Sequence, residues 1–175
     1  MSIKDEPTPS WIWGRYSGLG VLIAVIFFAA DQLHKWWMLA IYDIASRGKV
    51  EVTSFFNLVY YSNKGISFSM LQLDGSGQYL LAAFSATVSL VLLVWLARAG
   101  DSRLMAAAVG LIVGGALGNA IDRLHLGGVA DFFEFHLYGY YWPAFNIADS
   151  AIVAGVIGLL YDSFVPSRKG AANQA

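Results

Sequence analysis

Y-L-L-A-A-F-S-A-T-V-S-L-V-L-L-V-W-L-A, residues 79–97, runs for nineteen residues without a charge. An α-helix rises about 1.5 Å per residue, so about 20 apolar residues cross the hydrocarbon core of a bilayer. The stretch therefore reads as a transmembrane helix. Around it the composition agrees. The 175 residues are 57% hydrophobic with a mean hydropathy of +0.56, and only 13% are charged. A soluble domain carries roughly 25% charged residues.

Outward from 79–97, three more segments have the same character. Tyr16–Trp37 precedes it, behind the aromatic residues Trp11, Trp13 and Tyr16, which suit the headgroup level. A signal peptide is the competing reading of this first run, but no small-x-small cleavage site follows it. Leu104–Ile121 is the third span. Its Gly110, Gly114 and Gly118 recur every fourth residue, a small-residue face for close helix packing. The fourth span covers 145–165. The fold class expected is an all-α membrane protein of four transmembrane helices, at 16–37, 79–97, 104–121 and 145–165, forming one domain over 1–175. A small extracytoplasmic β-element is expected in the 42–77 loop, because Val50–Tyr61 is rich in β-branched and aromatic residues and Ser62–Gly65 reads as a turn. Residues 1–10 and the end of the chain read as polar tails.

Four spans put both termini on one side. The basic Arg98–Arg103 turn and the basic tail at Arg168 and Lys169 favour the cytoplasm for that side. The 42–77 and 122–144 loops then face outward together.

That topology gathers the polar residues into one layer. Asp31 and Lys35, four apart on one helix face, end the first span. Asn63 and Gly65 lie in the outer loop. Asn119, Asp122 and Arg123 end the third span, with Asp122 expected to orient Arg123. Asp131 is expected in the loop that follows, and Asn146, a candidate helix N-cap, and Asp149 begin the fourth span. Charged residues at membrane depth cost roughly 2.5–3.5 kcal/mol on insertion scales and generally mark function.

Two neighbouring carboxylates can share one proton, and such a pair hydrolyses amides. The ionised member takes a proton from the attacking water, and the protonated member donates one. Spacing alone leaves open which two of Asp122, Asp131 and Asp149 pair. The absence of cysteine removes disulfides, thiolate metal sites and a cysteine nucleophile. His34, His125 and His136 lack metal-site spacing, so no metal and no cofactor are expected. A net charge of −1 argues against nucleic acid. A small ion or proton carrier is the alternative function. It is disfavoured because the carboxylates cluster at one end of the spans rather than at their middle.

The chain resembles the bacterial lipoprotein signal peptidases, the signal peptidase II family. The resemblance rests on D-Q-L-H-K at 31–35, N-K-G-I-S-F-S at 63–69, G-N-A-I-D-R at 118–123, G-V-A-D-F at 128–132 and F-N-I-A-D-S at 145–150. It implies that Asp131 and Asp149 are the catalytic dyad, and that Asn119, Arg123 and Asn146 line the substrate site. It implies cleavage of prolipoproteins before a diacylglyceryl-modified cysteine, in the bacterial inner membrane and among its lipids, and sensitivity to the cyclic peptide globomycin. His34, and Ile66-Ser67, depart from residues common in that family.

Overall fold

The computed structural model describes residues 13–65, 75–100 and 102–164. The expected terminal tails, Trp11, and the Ile66-Ser67 departure lie outside these. Four long helices dominate: α1 (Ser17–Trp36), α3 (Ser76–Ala99), α4 (Arg103–Leu126) and α5 (Ile147–Phe164). All four are long and apolar enough to cross a membrane, α1 together with the π-helical Trp37–Ile41 that continues it. Between the first two lie a short α2 (Ile44–Arg47) and strands β1 (Val50–Thr53) and β2 (Phe56–Asn63). Between α4 and α5 lie β3 (Val129–Leu137) and β4 (Tyr140–Tyr141).

α4 is the central helix and packs against α1, α3 and α5. In lipid the hydrophobic effect gives helices little reason to associate, so close packing and buried polar contacts must do so. Glycine supplies the close packing. A Cβ at Gly114 would lie 2.6 Å from the Ala24 carbonyl oxygen, and one at Gly118 would lie 2.6 Å from Asp31 Oδ2. Gly110 meets Gly20 on the same seam, and Gly115 meets Ala148 on the α5 side.

α4 runs further than expected, through Asp122 and Arg123 to Leu126, where Gly127 in the left-handed conformation (φ +70°) ends it. The chain reverses there and enters β3. Asp131 therefore sits in a strand, not in the expected loop. The sheet is antiparallel in the order β1-β2-β3-β4. β2 and β3 pair with Asn57 opposite Glu134 and Tyr61 opposite Asp131. One face of the sheet packs Ala130 and Phe132 onto Met38 and Ile44. Phe132 and Phe133 N–H both donate to the Phe145 carbonyl, at 3.0 and 2.9 Å. That clip lays the start of α5 alongside β3.

Candidate active site

Asn146 is the N-cap of α5. Its Oδ1 accepts the Asp149 N–H at 2.9 Å, and Asp149 Oδ2 accepts the Asn146 N–H at 3.2 Å. This is a capping box with aspartate in place of the usual glutamate. It fixes the Asp149 carboxylate in the first turn of α5, where the helix dipole favours negative charge. The other oxygen, Oδ1, accepts Asn119 Nδ2 at 2.8 Å.

Asp131 is held by a different pair of amides. Asn146 Nδ2 donates to its Oδ1 at 2.8 Å, and Asn63 Nδ2 donates to its Oδ2 at 3.2 Å. Asn63 is itself set by the Gly65 N–H, which donates to its Oδ1 at 3.0 Å. The Asp131 side chain is only 2% exposed. Burial, and then the neighbouring Asp149 carboxylate, push its pKa up to about 7, against the pull of the two amides. Asn146 thus touches both carboxylates.

Behind them lies a buried ionic cluster. Lys35 Nζ is 2.7 Å from Asp31 Oδ2 and 2.7 Å from Asp122 Oδ2, and donates to Asn119 Oδ1 at 3.2 Å. Asp31 Oδ1 accepts the Ala148 N–H at 2.9 Å, so a carboxylate of α1 caps α5 as well. Asp122 Oδ2 also accepts the Ala130 N–H at 3.1 Å, next to Asp131. Asp122 accordingly bonds to Lys35 and the β3 backbone, and among the described residues it acts on Arg123 through its charge and not through a direct bond. Arg123 instead donates to the carbonyls of Asn119 at 3.3 Å and Gly65 at 3.1 Å.

All ten candidate residues come together: Asp31, Lys35, Asn63, Gly65, Asn119, Asp122, Arg123, Asp131, Asn146 and Asp149. Gln32 joins them. Gln32 Nε2 donates to Asp122 Oδ1 at 3.0 Å and to the Gly118 carbonyl at 3.2 Å. Its position between Asp31 and Lys35 on the helix was the available signal. Among the described residues no histidine and carboxylate cluster suited to a metal ion occurs.

A cavity of about 680 Å³ opens beside the carboxylates. Asn63, Gly65, Asn119, Arg123 and Asp149 form its polar end, and Ile152, Val153 and Ile157 of α5 its apolar wall. Asp131 is not part of that lining, being covered by the amides that bind it.

Residues 23–165 match the family model described as Signal peptidase (SPase) II. The chain belongs to the signal peptidase II family. Membership makes it an aspartic peptidase of lipoprotein processing, and the carrier alternative falls away. A lipoprotein signal peptidase of Nitrobacter hamburgensis is 50% identical, over 83% of this chain and 92% of its own. One from Rhodopseudomonas palustris (strain TIE-1) is 49% identical, over 84% and 92%. The fold matches a bacterial membrane enzyme solved by the in meso method at 2.3 Å, with a TM-score of 0.73 and 29% identity. That match covers 90% of this chain and 92% of the other.

Proposed function

We propose that Asp131 and Asp149 are the catalytic dyad of a membrane endopeptidase that removes signal peptides from prolipoproteins, cutting before the diacylglyceryl-modified cysteine. The observation that carries this reading is Asn146, which binds Asp131 through its side-chain amide and Asp149 through its backbone N–H and its Oδ1. One residue thus registers both carboxylates against each other. Asp149 lines the cavity and meets the water. Asp131, with its pKa near 7, holds the shared proton in the resting state. In this reading substrate binding draws the Asn63 amide off Asp131 Oδ2. Asp149 then takes a proton as water attacks the scissile carbonyl, and the uncovered Asp131 delivers its proton to the carbonyl oxygen or the leaving nitrogen.

Arg123, Asn63, Gly65 and Asn119, at the polar end of the cavity, position the peptide. The apolar wall along α5 suits acyl chains or the apolar part of a signal peptide. The same cavity would accept globomycin in the substrate's place. The sheet lies on the outer side of the inner membrane in this reading, with the β3 end of the bundle outward and both termini in the cytoplasm. The lipid's role is placement, since chains already in the bilayer gain little new hydrophobic energy from a groove open to lipid.

The test compares kcat/KM for diacylated and unmodified prolipoprotein in one bilayer, with bound substrate quantified. The diacylated form should be cleaved far more efficiently. Equal values at equal surface density would remove the lipid-directed part of the reading.

A further inference from the structure

The end of the bundle opposite Asp131 and Asp149 carries a second polar arrangement with no part in the peptidase. Tyr16 precedes α1 and is fixed there by backbone. Its N–H donates to the Gly100 carbonyl at 2.8 Å, Gly14 N–H donates to the Ala97 carbonyl at 2.7 Å, and Ser17 Oγ donates to the Leu96 carbonyl at 2.8 Å. The start of α1 is thereby clamped onto the end of α3. Two guanidinium groups converge on the half-buried Tyr16 ring. Arg15 Cζ and Arg103 Cζ, from α1's approach and α4's first residue, each lie 5.3 Å from the ring centroid.

Both arginines are exposed, and among the described residues neither has a carboxylate partner. The carboxylate described at this end, Asp162, is taken by Ser102 Oγ at 2.7 Å. Arg98, also exposed, adds a third cation to the same end. Two like charges held on one ring repel each other unless an anion joins them.

We propose that Arg15, Tyr16 and Arg103 form a binding site for the phosphodiester of an anionic membrane lipid. A guanidinium presents a planar fork of donors that matches phosphate oxygens two at a time. Stacking on an aromatic face limits the motion of that fork and lowers the entropy lost on binding. Depth favours a lipid over free phosphate. The cluster sits where the 25-residue apolar segment Ser17–Ile41 begins, beside the exposed Trp13. Aromatic residues in that place mark the headgroup layer, where anionic lipids attract basic side chains.

The test is native mass spectrometry of the full chain in detergent with equal amounts of phosphatidylglycerol and phosphatidylcholine. The unaltered protein should retain phosphatidylglycerol preferentially, and 10-fold excess inorganic phosphate should not displace it. Arg15→Gln/Arg103→Gln should lower the retained phosphatidylglycerol about tenfold, with peptidase activity unchanged as proof of folding. If that variant does not fold, Arg15→Lys/Arg103→Lys keeps the charge and loses the forks. It should retain several-fold less than the unaltered protein. Equal retention of the two lipids, full retention by a folded variant of either kind, or displacement by inorganic phosphate would each overturn the proposal.

Discussion

Asn146 and Asp149 cap each other. The Asn146 side chain accepts the Asp149 N–H at 2.9 Å, and Asp149 returns through Oδ2 to the Asn146 N–H at 3.2 Å. The same asparagine donates to Asp131 Oδ1 at 2.8 Å. Helix initiation and alignment of the proposed dyad therefore depend on one side chain, and the two roles can be told apart. Asn146→Ser keeps a capping oxygen but lacks the amide that reaches Asp131. It also leaves Asn119 Oδ1 and the buried Ala130 carbonyl without that donor, so stability should fall by about 1–3 kcal/mol, while kcat falls about 100-fold. Asn146→Ala should lose activity similarly and about 1 kcal/mol more stability than Asn146→Ser, the share of the cap. Thermal unfolding and turnover measured on both variants check the separation. Equal loss of stability in the two would mean that the cap is not what Asn146 supplies.

The pKa of Asp131 sets a pH limb. The carboxyl must be protonated to act as the acid, and its pKa is pushed up to about 7. Activity should therefore fall as pH rises through about 7, with the pair titrating as a unit. The Asn63 amide favours the ionised form, because it donates to Asp131 Oδ2. Asn63→Ala should consequently move the alkaline limb to higher pH, whatever it does to the maximal rate. A pH profile of kcat/KM, which reports the free enzyme, is the measurement, and a limb that moves to lower pH would contradict the assignment.

Lys35 is the counter-charge of two buried carboxylates, Asp31 at 0% and Asp122 at 3% exposure. Removing one partner of a buried ionic cluster costs about 3–5 kcal/mol, because the others stay buried without compensation. Lys35→Met should destabilise by that order. Lys35→Met combined with Asp31→Asn and Asp122→Asn should recover part of it, since no uncompensated charge then remains. Unfolding in mild detergent compares the two, and a triple variant no more stable than Lys35→Met would remove the electrostatic explanation.

The orientation of the bundle is open to labelling, because the chain contains no cysteine. Trp13→Cys and Ser54→Cys replace exposed residues before α1 and between β1 and β2. In intact cells an impermeant thiol reagent should label the cysteine at 54 from outside and leave the one at 13 unlabelled. Labelling of both from one side would break the four-span arrangement.

Much of this was readable because lipid imposes a simple rule on a chain. Long charge-free runs such as 79–97 had one structural solution, and the glycines at 110, 114 and 118 had one obvious use. The ends of the helices were less readable. Asp122 and Arg123 looked like the close of a span, yet Lys35 and the Gly65 carbonyl satisfy them, so α4 continues to Leu126. β3 is hard to see in the sequence for a related reason. Glu134 interrupts its apolar pattern, and the partner that makes its burial tolerable is Asn57, 77 positions away, donating at 3.0 Å. The resemblance named the dyad, but the link through Asn146 needed the geometry. Gln32 stood inside a motif already quoted, and only the approach of α1 to α4 shows what it binds.

Chelators should leave activity intact, because the proposed chemistry uses carboxylates and water alone. Turnover after dialysis against EDTA is the check. Activity lost to EDTA and restored by zinc would demand a different mechanism.

The central claim is that Asp131 and Asp149 together perform the hydrolysis. Its most direct test is single-turnover cleavage of a diacylated prolipoprotein by Asp131→Asn and by Asp149→Asn, each shown folded by its unfolding transition. An amide cannot exchange the shared proton, so both variants should cleave at least about 1,000-fold more slowly than the unaltered protein. Cleavage by either folded variant within about tenfold of the unaltered rate would contradict the dyad.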